Sequence, residues 1–395
     1  MTPSARVQAA IDILDAVITA ARGQGASADR IAADWFRTRR FVGSKDRRAI
    51  RDLAWNAIRA CGDVPVNGRA AMLRLAQDDA ALAGLFDGSN YGPTVIEPGE
   101  PVAAGGIAPG WLEERLAGSG LGPEEQAALL RRAPLDLRAN TLRTTRDDLR
   151  ASLPVEGQPT VAPNALRFPS GTAAESWPQF ADGQFEVQDT GSQLACLALG
   201  VQPGEAVVDL CGGAGGKTLA IGAALQNRGK LLACDIDRAR LSRLPDRAAR
   251  AGVLAETRLL NPGRELEALA DCAAKADAVM IDAPCSGTGT WRRNPEARWR
   301  LDDKALERYH AMQARVLDIG AALVRPGGRL TYVVCSLLDA EGADRIEAFL
   351  AANAGWDVAL PALPAGAPRG QGWRLTPFRD GTDGFFFATI VRRVN

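Results

Sequence analysis

The chain of 395 residues carries 47 basic and 47 acidic side chains, with 46% hydrophobic and 24% charged residues. At roughly 150 residues per domain, this length holds two or three domains with sizeable cores. No apolar run approaches the ~18 residues of a membrane-spanning helix and no signal-peptide-like segment opens the chain, so a soluble, cytoplasmic protein is expected.

Two scarcities narrow the chemistry. His310 is the single histidine, which excludes a multi-histidine metal site, and the helical pattern from Lys304 to Leu323 gives it a packing or surface role. The seven cysteines, at 61, 196, 211, 234, 272, 285 and 335, include no Cys-x-x-Cys pair. That argues against a disulfide framework and a Cys-rich zinc site, and fits a reducing compartment. No metal is expected. The bias of 42 arginines to five lysines reads as a compositional habit of the genome.

In chain order, residues 4–22 place Val7, Ala10, Ile11, Leu14, Val17, Ile18 and Ala21 on one helical face, with Ser4 as N-cap and Gly23 as stop. Helical patterns follow at 27–36, 45–60, 68–76 and 78–86. The first sixty residues hold 11 basic and 6 acidic side chains, densest at Arg37, Arg39, Arg40, Lys45, Arg47, Arg48 and Arg51. A solvated helical face and an RNA-facing patch both fit that cluster. Residues 87–110 are rich in Gly and Pro and read as a linker, followed by helix-like pieces at 111–117 and 123–132. From Ala206 onward, apolar strands at 206–211, 230–234, 277–282 and 328–334 alternate with helices. This alternation predicts a doubly wound parallel sheet, with the final GFFFATIVRR as an added edge strand.

The sequence Asp209-Leu-Cys-Gly-Gly-Ala-Gly-Gly-Lys217-Thr218 ends a strand and opens a helix, where backbone N–H groups and the helix dipole favour an anionic group. A phosphate-binding P-loop nearly fits, with Asp282 as its metal-binding acid, but Cys211 occupies the first required glycine. A dinucleotide loop fails because Thr218 stands in place of the third glycine. An S-adenosylmethionine (SAM) site fits better: the loop takes the methionine part, and Asp235, 19 residues after Gly216 at the end of the next strand, takes the ribose hydroxyls. Asp237 is the neighbouring competitor, and a glycine turn that only packs helix on sheet stays open.

Asp282-Ala-Pro-Cys285-Ser-Gly-Thr-Gly289 and Val334-Cys335-Ser336 each follow a candidate strand, so both cysteines reach the crevice at the carboxyl ends of the sheet. The other cysteines at 61, 196, 234 and 272 read as small buried hydrophobes. Methylation of cytosine carbon 5 needs such a set. A thiolate adds to carbon 6 and makes carbon 5 nucleophilic, an acid steadies ring nitrogen 3, and a base removes the carbon 5 proton so that the thiolate leaves.

These motifs resemble the RNA cytosine-C5 methyltransferases, specifically the bacterial small-subunit rRNA branch with an N-terminal NusB-like helical domain. The resemblance runs through Val187-Gln-Asp-Thr-Gly-Ser-Gln-Leu194, the glycine loop, Asp282-Ala-Pro-Cys-Ser-Gly-Thr-Gly, Arg292-Arg-Asn-Pro295, Trp299, Arg325 to Ser336, and Asp383-Gly-Phe-Phe386. It implies a multidomain α and α/β chain: an all-α NusB-like domain with its linker over 1–110, a small RNA-recognition-like α/β connector over 111–184, and a Rossmann-like SAM-dependent methyltransferase domain over 185–395. Asp136-Leu-Arg-Ala-Asn-Thr-Leu-Arg143 falls in that connector. The resemblance also implies Cys335 as nucleophile, Cys285 for product release and Asp282 as the carboxylate at the base. Cofactor contacts fall to Cys211, Gly212, Gly213, Ala214, Gly215, Gly216, Lys217, Asp235, Asn261 and Asp282.

The chain departs from that family's pattern in places. Gly212-Gly213-Ala214 replaces Ala-Ala-Pro, which should loosen the loop, and Val334 replaces the usual Thr. Asn261 stands where an acid commonly approaches the adenine, and Ala340-Glu341-Gly342 replaces Glu-Glu-Asn. Trp291 to Arg300, with two tryptophans and four arginines, offers planes that stack on splayed RNA bases, or else a loop packing its tryptophans inward. The expectation is a monomeric enzyme that methylates RNA, most naturally rRNA. A tRNA methyltransferase and a non-catalytic RNA-binding assembly factor are the alternatives.

Overall fold

The computed structural model describes residues 1–23 and 25–394, which form two compact units: the described residues of 1–131 with 290–302, and 132–289 with 303–394. The first unit is helical. Helices α1 (Pro3–Arg22), α2 (Ala28–Thr38), α3 (Ser44–Ala60) and α4 (Gly68–Ala76) enclose a core that includes Ile11, Leu14, Ile18, Ile50, Ile58 and Met72. All seven apolar residues expected on the first helical face are buried. Thr2 rather than Ser4 caps that helix, accepting the Ala5 N–H at 3.2 Å with Pro3 as first residue, while Gly23 ends it as expected. The helix expected over 78–86 shrinks to Ala80–Ala83, and 87–109 lies outside helices and strands.

Residues 290–302 leave the second unit's sequence to join this helical core. Arg298 is fully buried and donates 2.7 Å bonds to the carbonyls of Ile58 and Cys61 at the end of α3. Glu296 accepts the Ala28 N–H at the start of α2 at 3.0 Å, and Trp299 donates to the Gly62 carbonyl at 3.2 Å. Each charge thus sits at the helix terminus of opposite partial charge. Trp291 and Trp299 are 0% and 5% exposed, so inward packing, not base stacking, accounts for both. Of the basic cluster, Arg37, Arg40, Lys45, Arg48 and Arg51 are exposed, and Arg39 lies 4.1 Å over the Trp35 ring.

The second unit opens with a four-stranded antiparallel sheet, β1 (Leu135–Ala139), β2 (Gln158–Pro159), β3 (Ala165–Phe168) and β4 (Phe185–Val187), in the order β2-β3-β1-β4. Asp136 in β1 is buried but fully employed. It accepts two bonds from Arg167 at 2.7 and 2.8 Å, and Thr190 donates its N–H and hydroxyl at 3.0 and 2.6 Å. Thr190 begins the helix Thr190–Leu199, so this carboxylate ties the small sheet to the larger layer.

The larger sheet has nine strands: β5 (Ala206–Asp209), β6 (Lys230–Asp235), β7 (Glu256–Leu259), β8 (Ala276–Asp282), β9 (Val324–Val334), β10 (Trp356–Ala359), β11 (Ala367–Arg369), β12 (Gly372–Leu375) and β13 (Phe385–Arg392). Its order is β11-β12-β13-β9-β8-β5-β6-β7, with β10 also on β13, and β9-β8-β5-β6-β7 run parallel. The direction of winding reverses between β5 and β8, which opens a crevice at their carboxyl ends. The sheet differs from expectation at its last strand. β13 is not an edge strand: it lies antiparallel between β9 and β12, with Phe385 to Ile390 all buried. Its continuous apolar run is what a strand covered on both faces requires.

Candidate active site

Beyond β5 the chain turns through the glycine loop into the helix Gly216–Ala224. Gly213 and Gly215 adopt φ of +55° and +91°, a region that side chains resist. Three bonds fix the turn: Gly212 N–H to the Cys234 carbonyl, Gly213 N–H to Asp235 Oδ2 and Gly215 N–H to the Gly212 carbonyl, each 2.8 Å. Asp235 Oδ1 accepts the Asp237 N–H at 2.7 Å, while Asp237 itself caps the short helix Arg238–Leu241. The acid at the loop is therefore Asp235, and Asp237 has a local structural task. Asn261 is exposed just past β7, at the carboxyl end of the third parallel strand.

Lys217 and Asp282 form an ion pair at 2.7 Å, with side chains 10% and 32% exposed. Burial opposes the ammonium charge, but the adjacent Asp282 outweighs it and holds the lysine pKa above its ordinary value. Beneath the loop lies Asp209, a fully buried carboxyl absent from the candidates drawn from sequence. Thr218 donates to its Oδ2 at 2.6 Å, while Oδ1 has no partner. Burial pushes its pKa up to about 7, and the charges of Asp282 and Asp235 add to that rise. Cys211 lies beside the same carboxylates, and burial followed by their charges raises its thiol well above the usual range.

The two cysteines expected at the crevice are brought together. Cys285 follows β8, Cys335 follows β9, and their sulfurs are 3.4 Å apart. Both are half-buried. The hydrogen bond with Cys335, then burial, then the charges of Cys335 and Glu341 push the Cys285 thiol well above its ordinary pKa. The chain after each cysteine is packed without slack: Gly289 donates to the Cys335 carbonyl at 3.0 Å, and Gly384 donates to the Gly289 carbonyl at 2.8 Å. A Cβ on Gly289 would meet the Gly384 carbonyl oxygen at 2.1 Å, so the glycines of two separate motifs are explained by one close approach.

A second buried carboxylate, Glu341, lies under these loops and accepts from Ser286 and Ser336, the residues that follow the two cysteines. In the sequence Glu341 stands only as the matching middle residue of a motif from which Ala340 and Gly342 depart. Nothing in its neighbours along the chain marks it, because Ser286 is 55 positions away. Of the remaining cysteines, 61 and 234 are buried as expected, while 196 and 272 are half-buried. Among the described residues, no group of three or more His, Cys, Asp or Glu side chains could hold a metal ion, and no helix is long and apolar enough to cross a membrane.

Residues 196–391 match the model of the family described as 16S rRNA methyltransferase RsmB/F. The ribosomal RNA small subunit methyltransferase B of Salmonella typhi is 34% identical over 295 residues, covering 73% of this chain and 67% of that one. The protein of the same name from Klebsiella pneumoniae is 34% identical over 298 residues, with the same shares covered. Among solved structures, PH0851 shares the fold over 99% of each chain, with a TM-score of 0.77 at 23% identity. A methyltransferase homologue from Pyrococcus horikoshii has a TM-score of 0.60 at 25% identity, covering 72% of this chain and 99% of that one.

Proposed function

This chain belongs to the 16S rRNA methyltransferase RsmB/F family, and on that premise we propose that it methylates carbon 5 of a cytosine in small-subunit rRNA through a covalent adduct on Cys335. The observation that carries the reading is the pair of sulfurs 3.4 Å apart at the ends of adjacent parallel strands. A lone crevice cysteine serves many chemistries; two in contact suit a reaction in which one sulfur attacks and another group manages the proton.

The glycine loop fits a SAM molecule. At Gly213 the φ of +55° favours glycine and an added Cβ would meet the movable Arg240 guanidinium at 2.4 Å, while Asp235 stands at the loop with both oxygens turned toward backbone N–H groups. The cofactor contacts in this reading are residues 211–217, Asp235, Asn261 and Asp282. The cofactor supplies an electrophilic methyl group.

The protein's own residues do the rest. The Cys335 thiolate forms a carbon–sulfur bond at carbon 6, and the ring electron pair moves toward carbon 5. As negative charge builds on the ring, nitrogen 3 takes a proton from solvent, which the Asp282 carboxylate held by Lys217 steadies, and returns it to solvent when the ring regains its aromaticity. Carbon 5 takes the methyl group and gives its proton to the Cys285 sulfur, whose own proton has passed to solvent, and the returning electron pair expels the Cys335 thiolate. Cys285 serves that release. Its proton is held partly by the Cys335 charge, and the carbon–sulfur bond removes that influence during the adduct's lifetime.

In this reading the helical region through residue 110 and the segment 111–184 guide the RNA, and residues 185–395 carry the chemistry, in a monomeric cytoplasmic enzyme. The test is to mix Cys285→Ala and Cys335→Ala with SAM and rRNA from the same organism and run denaturing gels. Cys285→Ala is expected to accumulate a protein–RNA adduct. Cys335→Ala is expected to form none and to lose roughly 10³-fold or more in methyl transfer. A reversed pattern swaps the two roles. No adduct in either variant, with no methyl transfer by the wild type, overturns the enzymatic reading in favour of an RNA-binding factor.

A further inference from the structure

The two thiols sit on separate loops, and one side chain grips both. Glu341 Oε1 accepts the Ser286 N–H at 2.8 Å and Gln313 Nε2 at 3.0 Å. Its Oε2 accepts the Ser336 hydroxyl at 2.5 Å and the Ser286 hydroxyl as well. The two hydroxyls are themselves 3.2 Å apart, and Thr288 bridges to Ser336 at 3.1 Å. Tyr332, fully buried in β9, donates to the Glu341 carbonyl at 2.7 Å and fixes the backbone that carries the carboxylate. Among the described residues no lysine or arginine pairs with Glu341; four uncharged donors surround it.

We propose that Glu341 is a positioning residue that sets the spacing between the attacking and releasing thiols by holding Ser286 and Ser336, the immediate neighbours of Cys285 and Cys335. This inference rests on the covalent reading above and adds to it a residue that touches neither base nor cofactor. Burying a carboxylate without a cation is costly unless its oxygens are filled, and here every donor comes from the two thiol loops or from the helix (Asp303–Leu323) packed behind them. A tie whose only task was to fold the sheet would not need a charge, nor need it sit beside both cysteines. The charge also acts on the pair: Glu341 is among the causes that keep the proton on Cys285.

The experiment compares full-length wild type with Glu341→Gln and Glu341→Ala. Glutamine keeps the volume and loses the charge, so the fold has a conservative control. Turnover by Glu341→Gln is expected to fall about 10- to 100-fold, the scale of a misplacement near 1 Å. Its KM for RNA and its affinity for SAM stay within about two-fold of wild type. In a Cys335→Ser background, Glu341→Gln is expected to move the pH profile of Cys285 alkylation downward. Glu341→Ala, which lets the loops part, lowers the yield of Cys285–Cys335 bridging by a short bifunctional thiol reagent. Wild-type turnover and an unmoved alkylation profile in Glu341→Gln overturn the proposal. So does a joint loss of melting temperature and SAM binding in both variants, which marks a purely structural role. If neither Cys285→Ala nor Cys335→Ala traps RNA, the covalent reading falls instead, while bridging and alkylation still report on Glu341.

Discussion

Two carboxyl groups are wholly buried beneath one crevice and are treated in opposite ways. Glu341 receives four uncharged donors, two on each oxygen. Asp209 receives one, from Thr218, leaves its other oxygen unpartnered, and has the charges of Asp235 and Asp282 nearby. The cysteine end is therefore built from hydroxyls and amides that fix geometry without competing cations. The loop end is built from charges, with Lys217 paired to Asp282. Geometry is what the thiols need, whereas a cofactor bearing both charge and ribose hydroxyls needs electrostatic contrast. The same element of sheet edge supplies both because the strand order reverses between them.

The largest expected effect comes from removing the poorly served charge. Asp209 is raised from 3.8 to about 7 by burial and by its acidic neighbours, so the folded protein binds this proton more tightly than the unfolded chain does. That contribution to stability is fully present below about pH 4 and is lost as pH rises through 7. Asp209→Asn should therefore gain on wild type with rising pH, by on the order of 3 kcal/mol at pH 8. Denaturant titrations at pH 5 and pH 8 measure it; an equal difference at both breaks the contrast with Glu341. Next comes Lys217→Met, which strands Asp282 without its cation. Because Asp282 is 32% exposed, the expected cost is about 1–3 kcal/mol rather than the full value of a buried pair. Adding Asp282→Asn should return most of it, and a double-mutant cycle with no coupling would separate the two residues.

How much of this was readable beforehand follows from where the information lies. The strands β5, β6, β8 and β9 are apolar runs because their faces are covered, so sequence marks them directly. β7, Glu-Thr-Arg-Leu, lies at the sheet's edge with its first residues exposed and shows no such run. β1 and β4 bury Asp136, Arg138 and Glu186, charges that deny a strand pattern until their partners are known. The thiols were legible because they follow visible strands. Asp209 opens the glycine motif, but nothing local says that one of its oxygens lacks a donor. Glu341 depends on partners 5 to 55 residues away. The Trp291–Arg300 segment has a composition that fits two tasks equally, and only its burial against helix ends decides between them.

The smallest expected effect concerns the loop where Gly212-Gly213-Ala214 stands in place of Ala-Ala-Pro. Gly213 holds φ +55° with its N–H on Asp235, so the turn is stiffened by a left-handed residue and a hydrogen bond rather than by a ring. Alanine there costs about 1 kcal/mol of backbone strain and meets the Arg240 guanidinium, the mobile end of a long side chain. Gly213→Ala should thus weaken SAM binding about five-fold and lower the melting temperature slightly. Gly216→Ala is the control: it opens the following helix, and an added Cβ meets nothing within 4 Å. The control should hold or raise stability, since alanine is the better helix former. If it nevertheless loses SAM, a ligand and not the protein occupies that open space. If Gly213→Ala changes neither affinity nor stability, Asp235 is not what holds the turn.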